Sequence, residues 1–200
     1  MNVSSWSESP FGLPFRRMSH GWQRLNAKLE GSEQKPQWLP LHVEAVWERL
    51  VQQVQAAEFK GLLSQAFNPS AANGADFAER CDTLIQRLLA GDRLGLRFEL
   101  VDAQQLQGAS AAFAADAEGG PMVLVNRDWM AQSSAAEVQA VLLEEIGHAF
   151  DHVLNLGRDT AGDEGELFAA LVLGKPLSSS QRAEINAEDD TGRIIMGHQE

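Results

Sequence analysis

The stretch from Val141 to Leu173 constrains the fold most, because it sets several charged side chains into otherwise apolar, helix-forming sequence. Apolar residues recur at spacings of three and four from Val138 to Val153, which is typical of a helix that buries one face. On such a helix, side chains three and four residues apart share one side. That side would carry Glu144, His148, Asp151 and His152. The sequence therefore predicts acids and imidazoles beside a hydrophobic core.

Composition excludes several classes of partner and site. The formal net charge of -12 argues against binding to nucleic acid or to anionic membranes, since both partners are polyanions. The single cysteine, Cys81, excludes an intrachain disulfide and a cysteine-based zinc cluster, and we expect it to be a buried core thiol. The sequence has no run of eighteen apolar residues and no basic start followed by an apolar core, so it predicts neither a membrane span nor a cleavable secretory signal.

Residues 1–40 differ from the rest of the chain. They hold four of the seven prolines and three of the five tryptophans, without sustained periodicity. We interpret them as an irregular N-terminal arm that packs on the domain, and a segment that blocks an active site is the alternative. Residues 41–200 form the second unit, a single domain.

Periodicity and turn signals along residues 41–200 predict an α+β fold, with a small mixed or antiparallel sheet packed on helices around a central helix. The predicted helices are 41–67, 75–90, one that begins after the capping box at Ser134, 164–172 with Asp163 as its N-cap, and one that Ser178-Ser-Ser-Gln181 caps and that ends near Ala187. The predicted strands are 94–101, an irregular edge strand at 111–115, 122–125 and 192–196.

The sequence Glu144-Glu145-Ile-Gly-His148 differs at one position from the zinc-peptidase signature H-E-x-x-H, because a glutamate replaces the first histidine. In that signature, residues four apart bind Zn²⁺ and the Glu beside the first ligand activates a water molecule. A carboxylate can occupy the first position, since its oxygen binds zinc at a similar distance. The harder ligand set would tolerate Mn²⁺ or Ca²⁺ better than an all-imidazole set does.

The run Leu142-Leu-Glu-Glu-Ile-Gly-His148 resembles the active-site helix of zincin metallopeptidases, and the order of the preceding elements resembles the zincin order. The resemblance implies that Glu144 and His148 bind the metal ion. It implies that Glu145 is the catalytic base, which takes a proton from water and passes it to the leaving amine. It also implies that an exposed edge strand, here the region 110–115, pairs with the peptide substrate.

The third metal ligand distinguishes the zincin subgroups. In metzincins it lies six residues beyond the second histidine, where this chain has Leu154, which cannot bind metal. In gluzincins a glutamate from the following helix supplies it, and Asp163-Glu-Gly-Glu166 lies at a comparable though shorter distance. Glu164 is the preferred third ligand because it shares a helical face with larger apolar residues, and Glu166 is the alternative.

Two further residues of the central helix have less direct roles. We expect Asp151 to orient His148 or a neighbouring group, and His152 to be a polar residue at the boundary of the core. The alternative is that His148-Ala-Phe-Asp-His152 is an inverted H-x-x-E-H signature with Asp in place of Glu. That interpretation leaves Glu144 and Glu145 unexplained.

A narrower resemblance covers roughly residues 109–200. The central motif, then Asp159-Thr-Ala-Gly-Asp-Glu-Gly and Ala187-Glu-Asp-Asp-Thr-Gly, resemble an N-terminal domain of large bacterial calcium-binding repeat (RTX-type) proteins. It implies further C-terminal domains and secretion by a type I route, with a cytoplasmic location as the alternative. Two functions stay open: a zinc-dependent peptidase that acts on peptides or proteins, and an inactive peptidase-like module for binding or assembly.

Overall fold

The computed structural model describes residues 14–16, 39–67, 74–116, 120–158, 162–188 and 191–193. Within these residues the chain forms seven helices and five strands, which confirms the predicted α+β class. The helices are α1 (Leu39–Val54), α2 (Phe59–Phe67), α3 (Gly74–Leu89), α4 (Arg127–Gln132), α5 (Ala135–Leu154), α6 (Glu164–Val172) and α7 (Ser179–Ala187). The strands are β1 (Pro14–Arg16), β2 (Arg97–Val101), β3 (Ala111–Asp116), β4 (Gly120–Asn126) and β5 (Thr191–Arg193).

The strands form one mixed sheet in the order β2-β4-β3-β1-β5. Strands β2 and β4 are parallel, with Arg97 opposite Met122, whereas β3 runs antiparallel to β4. Strand β1 pairs antiparallel with both β3 and β5. A mixed sheet was one of the two predicted forms.

Strand β4, which lies between β2 and β3, is buried on both faces of the sheet. Val123 and Val125 belong to the large core, whereas Met122 and Leu124 belong to a smaller cluster on the opposite side. This alternation is the period of two that a strand imposes on its side chains. It explains why residues 122–125 are apolar without interruption.

Helix α5 is the central helix. Every residue from Ala140 to Asp151 is buried, because α1, α3, α6 and the sheet all pack against it. The prediction of a single buried face was therefore wrong: this stretch is buried on all sides. The predicted capping box at Ser134 and Glu137 is confirmed. At the other end of α5, the Arg80 side chain donates a hydrogen bond to the carbonyl oxygen of Leu154.

The helix predicted over 41–67 is interrupted between Val54 and Phe59, so the prediction of one continuous helix was wrong. No glycine or proline marks the interruption. The second piece, α2, packs against α6, where the rings of Phe67 and Phe168 lie 5.4 Å apart. Packing against α6 therefore accounts for a break that local propensity does not predict.

Strand β3 is not an edge strand, so that prediction was also wrong. It pairs with β4 on one side and with β1 on the other, where Phe15 lies opposite Ala114. The predicted N-terminal arm thus contributes one strand of the sheet. Residues 1–13 and 17–38 of the arm, and 194–196 of the predicted last strand, lie outside the described residues. None of the described helices is long and apolar enough to cross a membrane.

Candidate metal centre

The candidate site lies where α6 packs against α5. Glu144 and His148 are four residues apart on α5, and Asp163 is the residue that caps the start of α6. One ligand atom from each of the three lies within 4.8 Å of the others. All three residues are buried, with 0%, 1% and 0% of their surfaces exposed. Two helices thus bring one imidazole and two carboxylates together away from bulk solvent.

Two glycines allow this close approach. A methyl group at Gly165 would lie 2.5 Å from both Cε1 and Nε2 of His148, and 2.7 Å from the backbone oxygen of Glu144. A methyl group at Gly147 would lie 3.0 Å from the Cα atom of Gly165 and from the ring of Phe168. Gly165 therefore leaves the space that the His148 ring occupies, and Gly147 leaves the space for α6.

The His148 ring lies between two carboxylates. Its Nδ1 atom is 3.0 Å from Oε1 of Glu164, and its Nε2 atom is 3.8 Å from Oδ1 of Asp163. With its hydrogen on Nδ1, the neutral ring donates to Glu164 and directs the lone pair of Nε2 toward Asp163. A carboxylate on the second ring nitrogen is the usual way in which proteins orient a histidine that binds metal.

Asp163 is fixed by backbone contacts. Its Oδ1 atom accepts a hydrogen bond from the backbone N–H of Glu166 at 2.7 Å, so the residue is the N-cap that the sequence predicts. Its own N–H donates to the carbonyl oxygen of Ile185 in α7 at 2.9 Å. The preceding Gly162 has φ +97°, and a methyl group there would lie 2.7 Å from the Cα atom of Asn186. Helix α7 thus holds the loop that positions Asp163.

The electrostatic environment is strongly acidic. Six carboxyl groups on α5, on α6 or at the start of α6 are buried: Glu144, Glu145, Asp151, Asp163, Glu164 and Glu166. Burial lowers the pKa of the half-buried Lys175 ammonium, while the negative charges of Glu166 and Glu144 oppose that shift. Concentrated buried negative charge is costly unless cations or protons compensate it. A divalent cation would suit this environment.

The donor set fits such an ion. Imidazole nitrogen and carboxylate oxygen both bind Zn²⁺ at about 2.0–2.2 Å, so two ligand atoms on one tetrahedral ion lie about 3.4 Å apart. The 3.8 Å between Nε2 of His148 and Oδ1 of Asp163 is a few tenths of an ångström wider than that. Glu144, His148 and Asp163, whose ligand atoms lie within 4.8 Å of one another, could therefore hold a cation if those atoms moved inward. Two carboxylates among three donors also suit a harder ion than zinc.

The structure brings together some of the predicted site residues and not others. Glu144 and His148 lie in the group of three, with Asp163 as its third member among the described residues. Glu164, the predicted third ligand, contacts Nδ1 of His148 instead. Glu145 is buried beside Glu144, but adjacent helical residues point about 100° apart. The third residue of the group is therefore Asp163, whereas Glu164 contacts the Nδ1 atom of His148.

The remaining predicted residues lie around the group. Glu166 is buried and its backbone N–H binds Asp163. Asp151 accepts a hydrogen bond at 2.7 Å from the side chain of Asn155. His152 is exposed, and its ring centre lies 5.9 Å from that of Phe113 on β3.

Sequence reasoning assigned Asp163 only a capping role. The oxygen that caps α6, Oδ1, is also the one that lies 3.8 Å from Nε2 of His148. The signal that could have found it is its place one residue before Glu164, at the helix start that faces His148. That signal is weak, because capping alone explains an aspartate at this position.

No protein-family model, no curated protein and no solved structure matches this chain.

Proposed function

We propose that the chain is a metal-dependent hydrolase of the zincin type that cleaves peptide bonds in peptide or protein substrates. The convergence of Glu144, His148 and Asp163 carries the proposal, because three buried donors from two contacting helices form a group that a divalent cation fits. The first two lie four residues apart on one helix, as in the zinc-peptidase signature. Zinc is the proposed ion, with Mn²⁺ or Ca²⁺ as alternatives for so acidic a set.

Each residue has a proposed task. Glu144, His148 and Asp163 would hold the divalent cation, which would supply Lewis-acid activation of water. Glu145, next to Glu144, accepts the proton of the attacking water and gives it to the leaving amine. Glu164 keeps the His148 ring in the tautomer whose Nε2 lone pair faces Asp163. Secretion as part of a longer RTX-type chain is the proposed cellular context, carried by the motif resemblance alone.

A metal-stabilised module without catalytic activity is the second candidate, and the burial of the site favours it. Glu144 and Glu145 both have 0% of their surface exposed. A catalytic metal site keeps one position open for water and substrate, whereas a structural site is closed. Under the hydrolase proposal, substrate entry requires some part of the chain to move.

Metal analysis comes first among the tests. Protein purified without chelator and then offered zinc should retain about one equivalent, and binding should raise the free energy of unfolding by about 2.7 kcal/mol at a free zinc concentration of 100 Kd. Retention of less than about a tenth of an equivalent of zinc, calcium or any transition metal would refute a functional metal centre.

Glu145→Gln separates the two candidates. The hydrolase proposal predicts that this variant retains metal and loses turnover of fluorogenic peptides. Glu184→Gln is a matched control, because Glu184 is exposed on α7 and the same substitution there should change neither property. Wild-type protein that binds metal but cleaves no member of a broad peptide library would support the inactive module.

A further inference from the structure

Strand β2 lies at one edge of the sheet. It pairs in parallel with β4 over all five of its residues, and it has no second neighbour among the described strands. The register is regular, and the strand contains no proline. A regular edge strand presents backbone N–H and C=O groups to which a further strand can bond. Strand β2 is therefore a candidate surface for the addition of a strand.

The core-facing side chains of β2 are less buried than their neighbours on β4. Phe98 and Leu100 pack against the large core but are only partly buried. Val123 and Val125, which lie opposite them on β4, have 0% of their surface exposed. A strand added to β2 would bring new side chains to within about 5 Å of Phe98 and would increase its burial. Burial of apolar surface thus favours an added strand.

The two charged side chains of β2 indicate which strand would fit. Arg97 and Glu99 point to the face of the sheet opposite Phe98, because side chains alternate along a strand. They are about half exposed and contact each other at 3.7 Å. Charges on an edge strand discourage pairing with an arbitrary strand. These two, however, have opposite signs and lie two residues apart, so they are complementary to the same pair in an antiparallel copy of β2.

We propose that two copies of this chain pair through β2, antiparallel and about a two-fold axis at Phe98. In this register Phe98 lies opposite Phe98 of the second copy, and Arg97 lies opposite Glu99 of the second copy. Such an interface uses the same patch on both subunits, as is usual in homodimers. The two five-stranded sheets would form one continuous sheet. This inference does not depend on the metal centre or on the hydrolase proposal.

Other two-fold registers are less favourable. An axis at Glu99 would place two carboxylates directly opposite each other, and an axis at Arg97 would do the same with two guanidinium groups; both arrangements are destabilising. The axis at Phe98 instead gives a ring of four charges of alternating sign, because each copy keeps its own contact between Arg97 and Glu99. The Arg127 guanidinium donates to the carbonyl oxygen of Leu100, two residues from this axis.

Backbone hydrogen bonds and the buried rings supply the affinity, and the charges select the register. Exposed ion pairs contribute little to affinity because water and salt screen them. Directly opposed like charges oppose pairing strongly. The net charge of -12 also opposes association, but the Debye length of about 8 Å at physiological salt screens most of that repulsion. We expect a weak dimer with a Kd of about 100 μM, since two paired strands bury less surface than a standard interface.

Charge reversal tests both the surface and the register. Sedimentation velocity at about 300 μM protein in physiological salt should show the wild type largely as a dimer. Arg97→Glu sets acidic side chains opposite each other, and Glu99→Arg sets basic ones opposite each other, so each variant alone should be monomeric. An equimolar mixture of the two variants should dimerise, because every opposed pair again has opposite charges.

Two control variants separate this effect from a change in net charge. Arg158→Glu and Glu184→Arg alter the charge by the same amounts at exposed positions outside the sheet, and both should dimerise like the wild type. Urea unfolding confirms that each variant is folded. A wild type that is monomeric at about 300 μM, a dimer that persists in either single reversal, or a mixture that stays monomeric would overturn the proposal.

A disulfide locates the two-fold axis. In Phe98→Cys the two thiols lie directly opposite each other, at a spacing that a disulfide can span. In Val101→Cys they lie far apart, because position 101 of one copy is opposite position 95 of the other. Mild oxidation should convert the first variant to covalent dimers on a non-reducing gel and leave the second monomeric. The native Cys81 is buried and should not interfere.

Equal cross-linking of the two cysteine variants, or none in folded Phe98→Cys protein, would refute the axis at Phe98. The charge-reversal series does not require the Phe98→Cys variant to fold. Neither experiment involves metal or peptide hydrolysis, so the dimer and the hydrolase proposal can fail separately.

Discussion

Replacement of Gly165 by alanine is the most direct test of the helix contact that forms the candidate metal centre. The added methyl carbon would lie 2.5 Å from two atoms of the His148 ring and 2.7 Å from the backbone oxygen of Glu144. The ring can rotate away only at the expense of its hydrogen bond to Glu164, and the backbone oxygen belongs to a helix buried on all sides. Neither the ring nor the backbone oxygen can move away without loss of favourable contacts, so the substitution should destabilise the protein.

The magnitude follows from two opposing terms. Alanine in place of glycine within a helix contributes up to about 1 kcal/mol of stability. Overpacking in a well-packed core costs about 1–3 kcal/mol, and contact with a fixed backbone atom favours the upper end. We expect a net loss of about 2 kcal/mol in the free energy of unfolding, which for a chain of this size corresponds to about 4–8 °C in Tm. Displacement of His148 should also weaken zinc binding at least about tenfold.

The matched control is Gly61→Ala. Both glycines lie in the first turn of a helix, but a methyl group at Gly61 has nothing within 4 Å. That variant should be as stable as the wild type or slightly more stable, with unchanged zinc affinity. Urea unfolding and calorimetric zinc titration measure both quantities. A Gly165→Ala protein with wild-type stability and zinc affinity would show that α6 does not approach His148 as described.

Three further predictions concern single side chains. Asp163→Asn keeps an oxygen for the N–H of Glu166 and should lose mainly zinc affinity in calorimetric titration, whereas Asp163→Ala should also lose about 1 kcal/mol of metal-free stability in urea. Wild-type zinc affinity in the Asp163→Asn protein would contradict a ligand role. Burial lowers the pKa of His42 from 6.5, so the unfolded chain binds more protons than the folded chain just below pH 6.5. In urea unfolding, the wild type should therefore lose stability relative to His42→Gln as the pH falls through that value. Parallel profiles of stability against pH for the two proteins would contradict this prediction. Burial raises the pKa of the Cys81 thiol to about 11, so mass spectrometry should find no iodoacetamide adduct at pH 8 until urea unfolds the chain. Rapid labelling of the native protein would refute the burial of Cys81.

The starts of three helices were predictable from capping residues that lie next to them in the sequence. The capping boxes at Ser134 and Ser178 and the N-cap at Asp163 predicted the starts of α5, α7 and α6, and the structure confirms all three. These signals work because a side chain bonds to a backbone N–H only three residues away. Their meaning does not depend on the rest of the fold.

Features that depend on tertiary packing were not predictable. The break after Val54 reflects the packing of α2 on α6, and the burial of α5 on all sides reflects neighbours distant in sequence. The position of β3 inside the sheet depends on residues 14–16, about 100 positions earlier. No local pattern in β3 distinguishes an exposed edge from one that a remote segment covers.

The candidate site also combines a feature that local sequence predicts with one that depends on tertiary packing. The spacing of Glu144 and His148 is a property of one helix and was predicted, and both lie in the group of three. The choice between Asp163 and Glu164 depends on how α6 sits on α5, which Gly147 and Gly165 determine through their missing side chains. The sequence pattern at these two glycines does not indicate how closely the two helices pack.

The pairing of β1 with β5 also affects the order in which the chain assembles on the ribosome. Pro14 and Arg193 are 179 positions apart, so β5 cannot join β1 until residue 193 has been synthesised. Contacts of such separation form late, because closure of a long loop costs entropy before the contact is gained. Residues 135–166, which hold α5 and the candidate ligands, emerge earlier. The nascent chain should therefore form the contact between α5 and the start of α6 before it closes its sheet.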